Sequence, residues 1–225
     1  MLSPKTHYLQ VALNRTLYDA HQILSRLPAS ERILIEAGTP LIKSYGAAGI
    51  RQLYAWWSAR LTAGNVRRTP YIVADMKVMD RGATEVNIAS SAGASAVVAL
   101  GQAPVETLDA FIAACEEQSV DSFIDMMNVE KPYQVLRRLK RLPAVVLLHR
   151  GVDEERDANK PLPIHLINKV KGAFDVMVAI AGGDSPREVQ SAVFNGADVV
   201  VLWKNYYSAG EQNSQVAEEF LRTVK

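Results

Sequence analysis

Cys115 is the sole cysteine in a chain of 225 residues. It cannot close an internal disulfide, and it lies in the apolar helical stretch Phe111-Ile112-Ala113-Ala114-Cys115, so it reads as a buried thiol rather than a nucleophile. No apolar run approaches the ~18 residues that a membrane helix needs. The opening residues, Met1-Leu2-Ser3-Pro4-Lys5-Thr6, hold no signal-peptide core. Lys and Arg number 25 against 24 Asp and Glu, a formal net charge of +1, so no global excess of charge argues for nucleic acid. These absences together predict a cytoplasmic protein with neither a membrane nor a nucleic-acid partner. No His/Cys cluster is spaced for zinc. No Gly-x-Gly-x-x-Gly opens the first helix, which argues against a dinucleotide fold.

What is present is apolar and periodic. Hydrophobic residues make up 48% of the chain, enough for one sizeable core, and residues 1–225 are expected to form a single domain. Short buried strands are predicted at residues 8–13, 33–35, 71–74, 95–100, 121–124, 144–148, 176–181 and 198–202. Helical patterns separate them. Thr16 caps a helix with Leu17, Ala20, Leu24 and Leu27 on one face. Others are expected at 47–61, after Asp80 as far as Ala92, from Pro104, at 130–142, at 162–171, behind the capping box Ser185-Pro186-Arg187-Glu188, and at 212–224. Trp56-Trp57 reads as packing, and the basic run Arg137, Arg138, Lys140, Arg141 as a solvated face. Gly93 and Gly196 each end a helix and feed a strand, four units apart. Eight strand–helix units predict an α/β fold with a parallel sheet closed into a (β/α)8 TIM barrel; an open doubly wound sheet is the runner-up.

The strands are apolar but their C-terminal ends are not. Those ends carry Asn14, Glu36, Asp75 with Lys77, Asp125, His149 with Arg150, Gly182-Gly183, and Lys204. In a barrel they converge on one face, where barrel enzymes keep their active sites. The stretch Asp75-Met76-Lys77-Val78-Met79-Asp80 is central. Taken alone it reads as a strand-end ion pair with Asp80 as a helix N-cap. An acid and a base at the mouth of a buried strand are costly unless they pair or bind something.

Glu36, Asp75 and Asp125 are hard oxygen donors suited to Mg²⁺. Lys77 among carboxylates stays charged, which suits proton donation or electrostatic stabilisation rather than Schiff-base work. His149 is the acid/base candidate at a strand end, whereas His7, His21 and His165 read as surface or packing residues. Gly182-Gly183 ahead of the helix capped at Ser185 offers backbone N–H groups to a phosphate, with Lys204 adding charge. The polar stretch 151–163 is long for a strand–helix connection and fits a mobile lid.

Four segments resemble the 3-hexulose-6-phosphate synthases of the orotidine 5′-monophosphate decarboxylase superfamily: Glu36-Ala37-Gly38-Thr39-Pro40-Leu41-Ile42-Lys43, Ala74-Asp75-Met76-Lys77-Val78-Met79-Asp80, His149-Arg150-Gly151-Val152-Asp153-Glu154, and Ala181-Gly182-Gly183. The match runs in register over about residues 8–202. The resemblance implies a ribulose-phosphate-binding barrel acting as an aldehyde-lyase. Its reaction would be the reversible condensation of formaldehyde with ribulose 5-phosphate to 3-hexulose 6-phosphate, through an enediolate. It further implies Mg²⁺ held by Glu36 and Asp75, with catalysis by Lys77, His149, Asp80 and Asp75. Asn14, Asp125, Arg150, Gly182, Gly183 and Lys204 would bind substrate. The chain would work as a homodimer, with Asp80 reaching into the partner's site.

Three positions depart from the family pattern. Asn14 stands where Asp is usual, Trp203-Lys204 where Gly-Gly or Gly-Arg is usual, and Asp184 where an apolar residue is usual. A decarboxylase of a related keto-acid sugar phosphate, and a barrel that binds without turnover, are the alternative readings.

Overall fold

The computed structural model describes residues 1–157, 160–183, 185–208 and 213–224. Eight parallel strands close a barrel in sequence order: β1 (Tyr8–Leu13), β2 (Ile33–Ala37), β3 (Ile72–Val78), β4 (Ala96–Leu100), β5 (Asp121–Asp125), β6 (Val145–His149), β7 (Met177–Ala181) and β8 (Val199–Leu202). The ring is sealed where Tyr8 pairs with Val199 and Val11 with Leu202. The predicted fold class is the observed one.

Period-two alternation along each strand sorts the core into two layers. Tyr8, Ala12, Leu34, Val73, Phe123, Leu147 and Ala179 pack inside the barrel. Leu9, Val11, Leu13, Ile33, Ile35 and Ile72 point outward and pack under the helices. Each such buried Leu, Ile or Val contributes roughly 1.5–3 kcal/mol relative to exposure.

The helices are α1 (Leu17–Arg26), α2 (Thr39–Ala63), α3 (Gly82–Ser91), α4 (Val105–Glu117), α5 (Pro132–Leu136), α6 (Ile167–Lys171), α7 (Pro186–Phe194), α8 (Lys204–Ser208) and α9 (Asn213–Thr223). The caps read from sequence form. Thr16 and Asp19 make a full capping box, as do Ser185 and Glu188. Gly93 and Gly196 adopt φ of +94° and +91°, matching their shared role as helix-ending residues before β4 and β8.

Several boundaries differ from the sequence reading. Helix α2 starts at Thr39 rather than near 47, because Pro40 suits a first turn; Gly46, at φ 58°, then breaks it. Strand β3 extends through Lys77 to Val78. Asp80 does not cap α3, since Arg81 occupies that position at φ 56° with no side-chain cap. The expected basic helix at 130–142 shrinks to α5, and the expected helix at 162–171 to a 3-10 turn at Ile164–Leu166 followed by α6. The arginines of that basic run remain exposed. Helix α8 was not legible, and Gln212, the expected start of the last helix, lies outside the described residues.

Cys115 is buried, and burial pushes its thiol up to about 12. Trp57 is fully buried in the outer layer, while Trp56 meets His21 edge to face at 4.8 Å. His7 Nδ1 lies 2.9 Å from the Ala197 carbonyl and His165 is exposed, so all three of these histidines stay away from the rim. Among the described residues no helix is long and apolar enough to cross a membrane.

Candidate active site

The inward-facing rows of the barrel continue past its apolar filling and become polar at the strand ends. Two residues beyond Leu34 stands Glu36, beyond Val73 Asp75, beyond Phe123 Asp125, and beyond Leu147 His149. The alternation that buries the core therefore aims these four side chains at the barrel mouth. Small residues on the same rows, Ala12 and Ala181, leave space there. The result is a cavity of about 640 Å³ whose wall includes Glu36, Asp75, Lys77, His149, Arg150 and Trp203.

Lys77 is the centre of an ion-pair network. Its Nζ donates to Asp75 Oδ1 and Oδ2 at 2.9 and 2.8 Å, and to Asp125 Oδ2 at 2.8 Å. It reaches both carboxylates because β3 is irregular. Ala74 pairs with Val97 and Val78 with Ala99, so four steps on β3 face two on β4. Lys77 itself sits at φ 48°. A left-handed residue other than glycine costs roughly 1 kcal/mol, and such bulges commonly re-aim side chains beside active sites. Burial opposes the charge on Lys77, but Asp75 and Asp125 outweigh it and raise the ammonium above its ordinary value. This amine stays protonated.

Asp125 is wholly buried. One oxygen, Oδ2, takes Lys77 Nζ and lies 2.8 Å from His149 Nδ1; the other accepts the Met127 N–H at 2.9 Å. Burial works against this carboxylate, yet His149 and Lys77 prevail and hold it at about 2. His149 shows the reciprocal balance, with burial lowering and Asp125 raising it, for a net rise above 6.5. With Nδ1 committed to Asp125, Nε2 is the ring nitrogen left for the cavity. Asp125 thus acts beneath Lys77 and His149 rather than as a direct ligand contact.

Glu36 lies across the mouth. Gln10 Nε2 donates to its Oε2 at 2.5 Å. Burial first, and then the charge of Asp75, push its carboxyl up to about 7. Thr39 Oγ1 stands 2.9 Å from both Oδ2 and the carbonyl oxygen of Asp75. Gln10 and Thr39 were missed from the sequence, although Gln10 left a signal as the single polar residue inside an apolar strand.

The remaining predicted residues are placed as follows. Asn14 lines the cavity, and its amide packs so close to Gly38 that a Cβ there would stand 2.0 Å from Asn14 Oδ1. Arg150 lines the cavity but is spent on its neighbours: Nη2 donates to the Gly182 carbonyl and lies 3.7 Å from Glu188, and Nη1 is 3.5 Å from the Lys160 carbonyl. Gly182 also lines it, at φ 98°, and a Cβ would meet the Arg150 carbonyl at 2.3 Å. Gly183 does not; a Cβ there would face Leu162 and Glu188. Lys204 opens α8 and pairs with Glu155. Asp80 is exposed and outside the cavity wall of its own chain. Asp184 lies outside the described residues. Of the stretch 151–163 expected as a lid, residues 158 and 159 lie outside the described residues; Glu154–Arg156 forms a 3-10 turn, with Glu154 accepting the Gly151 N–H at 2.9 Å.

Residues 7–219 match the family described as orotidine 5′-phosphate decarboxylase / HUMPS. The chain belongs to this family. Among its relatives, the bifunctional enzyme Fae/Hps of Methanospirillum hungatei JF-1 is 38% identical over 218 residues, spanning 96% of this chain and 52% of that protein. The chain spans about half the length of the curated relatives it matches. A crystal structure of a 3-hexulose-6-phosphate synthase superposes with TM-score 0.81 at 26% identity, covering 97% of this chain and all of that one. The synthase from Salmonella typhimurium gives 0.79 at 27%, covering 94% and 99%. Among these members of the decarboxylase / HUMPS family, the sequence resemblance noted above points to the same branch.

Proposed function

We propose that this barrel catalyses the reversible condensation of formaldehyde with ribulose 5-phosphate. The observation that carries the reading is the single Asp125 oxygen shared by Lys77 and His149 at the mouth of the cavity. It joins a fixed cation to a proton carrier, which is what carbon–carbon bond formation next to a carbonyl needs.

The product's connectivity fixes the chemistry. A ketose with its carbonyl at C2 becomes a 3-hexulose when one carbon is added at C1. A C1 proton must therefore leave, C1 must attack the formaldehyde carbon, and the former aldehyde oxygen must gain a proton. Neutral His149 takes the C1 proton on Nε2, while Asp125 holds Nδ1 and stabilises the imidazolium that results. The Lys77 ammonium neutralises the negative charge that develops on the carbonyl oxygen without surrendering its own proton. In the reverse direction His149 removes the proton from the hydroxyl on the carbon that departs as formaldehyde.

The donor set fits Mg²⁺. Glu36 and Asp75 are two buried carboxylates on neighbouring strands, with burial and the Asp75 charge pushing Glu36 up, and Mg²⁺ is commonly held by one or two carboxylates with its other positions left to water and substrate oxygens. Among the described residues no group of three His, Cys, Asp or Glu forms a full cage. Bound there, the ion would supply Lewis-acid polarisation of the substrate's oxygens. Thr39 and Gln10 orient the two carboxylates.

Asp80 belongs to this reading through a second copy of the chain. It is exposed, next to Met79 at 45% exposure, and would act in a partner's cavity of a homodimer. A cytoplasmic setting suits the lone, buried thiol.

The test is consumption of formaldehyde by the purified protein with ribulose 5-phosphate, in Mg²⁺ and in EDTA. Metal-dependent loss with a hexulose phosphate product supports the reading. Release of CO₂ from a keto-acid sugar phosphate, with no formaldehyde consumed, would replace it by the decarboxylase reading.

A further inference from the structure

The cations around the cavity are not equally available to an anionic ligand. Lys77 is neutralised by Asp75 and Asp125. Lys204 is paired with Glu155, whose side chain also lines the cavity. Arg150 keeps a buried Nε without a partner, but its terminal nitrogens serve Gly182, Lys160 and Glu188. The start of α7 is occupied by its own capping box, since Glu188 Oε2 accepts the Ser185 N–H at 3.0 Å and its hydroxyl at 2.7 Å. Glu155 and Glu188 therefore engage Lys204 and the start of α7, two of the groups that the sequence offers to a phosphate.

Arg15 differs. It follows Asn14 at the end of β1, beside β8, and it lines the cavity. Among the described residues its guanidinium has no carboxylate partner. It is held instead over the Tyr207 ring, 4.5 Å from the centroid. Tyr207 is itself fixed: its hydroxyl accepts the Asn14 backbone N–H at 2.8 Å and the Arg15 backbone N–H at 3.4 Å, and its ring meets Trp203 edge to face at 6.2 Å. A guanidinium over an aromatic face keeps its N–H edge free for a planar, charge-assisted grip on phosphate.

We propose that Arg15, posed on Tyr207, is the residue that captures the anionic phosphate end of the ligand in this cavity. This rests on the reading of the ligand as a phosphorylated sugar and names the group that selects it. Trp203 gains a role, since its indole buttresses Tyr207, and Glu155 narrows the selection by keeping Lys204 engaged.

The experiment is isothermal titration of the full chain with ribulose 5-phosphate, with unphosphorylated ribulose and with inorganic phosphate, for wild type, Arg15→Met, Arg15→Lys and Lys204→Met. Arg15 is exposed, so its variants are expected to keep the wild-type melting temperature, which is measured alongside. Loss of a charged hydrogen-bond donor should weaken ribulose 5-phosphate about tenfold to a hundredfold in Arg15→Met. Binding of unphosphorylated ribulose should not change, and Arg15→Lys should recover part of the loss. Wild-type affinity in Arg15→Met, or a larger loss in Lys204→Met, overturns the proposal. So does failure of the wild type to bind either phosphate compound. Arg15-dependent binding without formaldehyde consumption would leave Arg15 in place while the condensation reading fails.

Discussion

Lys77 Nζ and His149 Nδ1 each lie 2.8 Å from the same atom, Oδ2 of Asp125. One buried carboxylate thus fixes both the cation and the proton carrier. Replacing Asp125 with Ala leaves a buried ammonium short of a partner, so a loss of about 3–5 kcal/mol is expected, typical of breaking a buried pair. Denaturant unfolding measures it. A change under 1 kcal/mol would mean that the network is far more solvated than its burial indicates.

The network also sets a pH window. The folded Asp125 carboxyl is held at about 2 against an ordinary 3.8, because His149 and Lys77 overcome the effect of burial. Its contribution, about 2 kcal/mol, is present above pH 4 and fades as pH falls through 2. His149 is raised above 6.5, since Asp125 overcomes the effect of burial. Its contribution is present below 6.5 and fades as pH rises through the folded value. Stability from this contact should peak between roughly pH 4 and 6.5. Unfolding midpoints across pH should show both limbs, and Asp125→Asn should flatten them together.

Catalysis follows the opposite sign. His149 must be neutral to take a proton, so kcat should rise with pH along a limb centred above 6.5. In Asp125→Asn the raising partner is gone while burial remains, and the limb should move below its wild-type position. A limb that does not move would separate His149 from the reaction.

Lys77→Ala should cut kcat by at least about a hundredfold, the usual cost of removing a charge aimed at a developing oxyanion. It should leave Mg²⁺ binding at Glu36 and Asp75 intact, because it removes a competing cation from Asp75. Turnover and the Mg²⁺-induced thermal shift read the two effects separately. Wild-type turnover would remove Lys77 from the chemistry.

Mg²⁺ at ten times its dissociation constant should stabilise the protein by about 1.4 kcal/mol through linkage. Glu36→Gln should abolish that gain. Equal shifts in wild type and Glu36→Gln would place the ion elsewhere.

The barrel was readable because its signal is redundant. Eight short apolar runs alternate with helical patterns, and the runs end in polar residues, so Glu36, Asp75, Asp125 and His149 fall at one rim from the order of elements alone. The parts that escaped depend on contacts remote in sequence. Helix 130–142 has the right amphipathic pattern, yet only Pro132–Leu136 is helical. Asp80 looked like a cap because it precedes a helix, but the chain turns through a left-handed Arg81 first. Lys204 reads as a phosphate ligand because nothing nearby in sequence announces Glu155, 49 residues away. Arg15 carries no signal in sequence because its setting comes from Tyr207, 192 residues on.

The most direct test of the central claim omits formaldehyde. Ribulose 5-phosphate incubated with the protein and Mg²⁺ in D₂O should exchange a C1 hydrogen for deuterium, followed by NMR, and His149→Gln should abolish the exchange. Exchange that depends on His149 is the predicted result. Absence of exchange in the wild type, or wild-type exchange in His149→Gln, would contradict the assignment of this rim as a site that removes a proton next to a carbonyl.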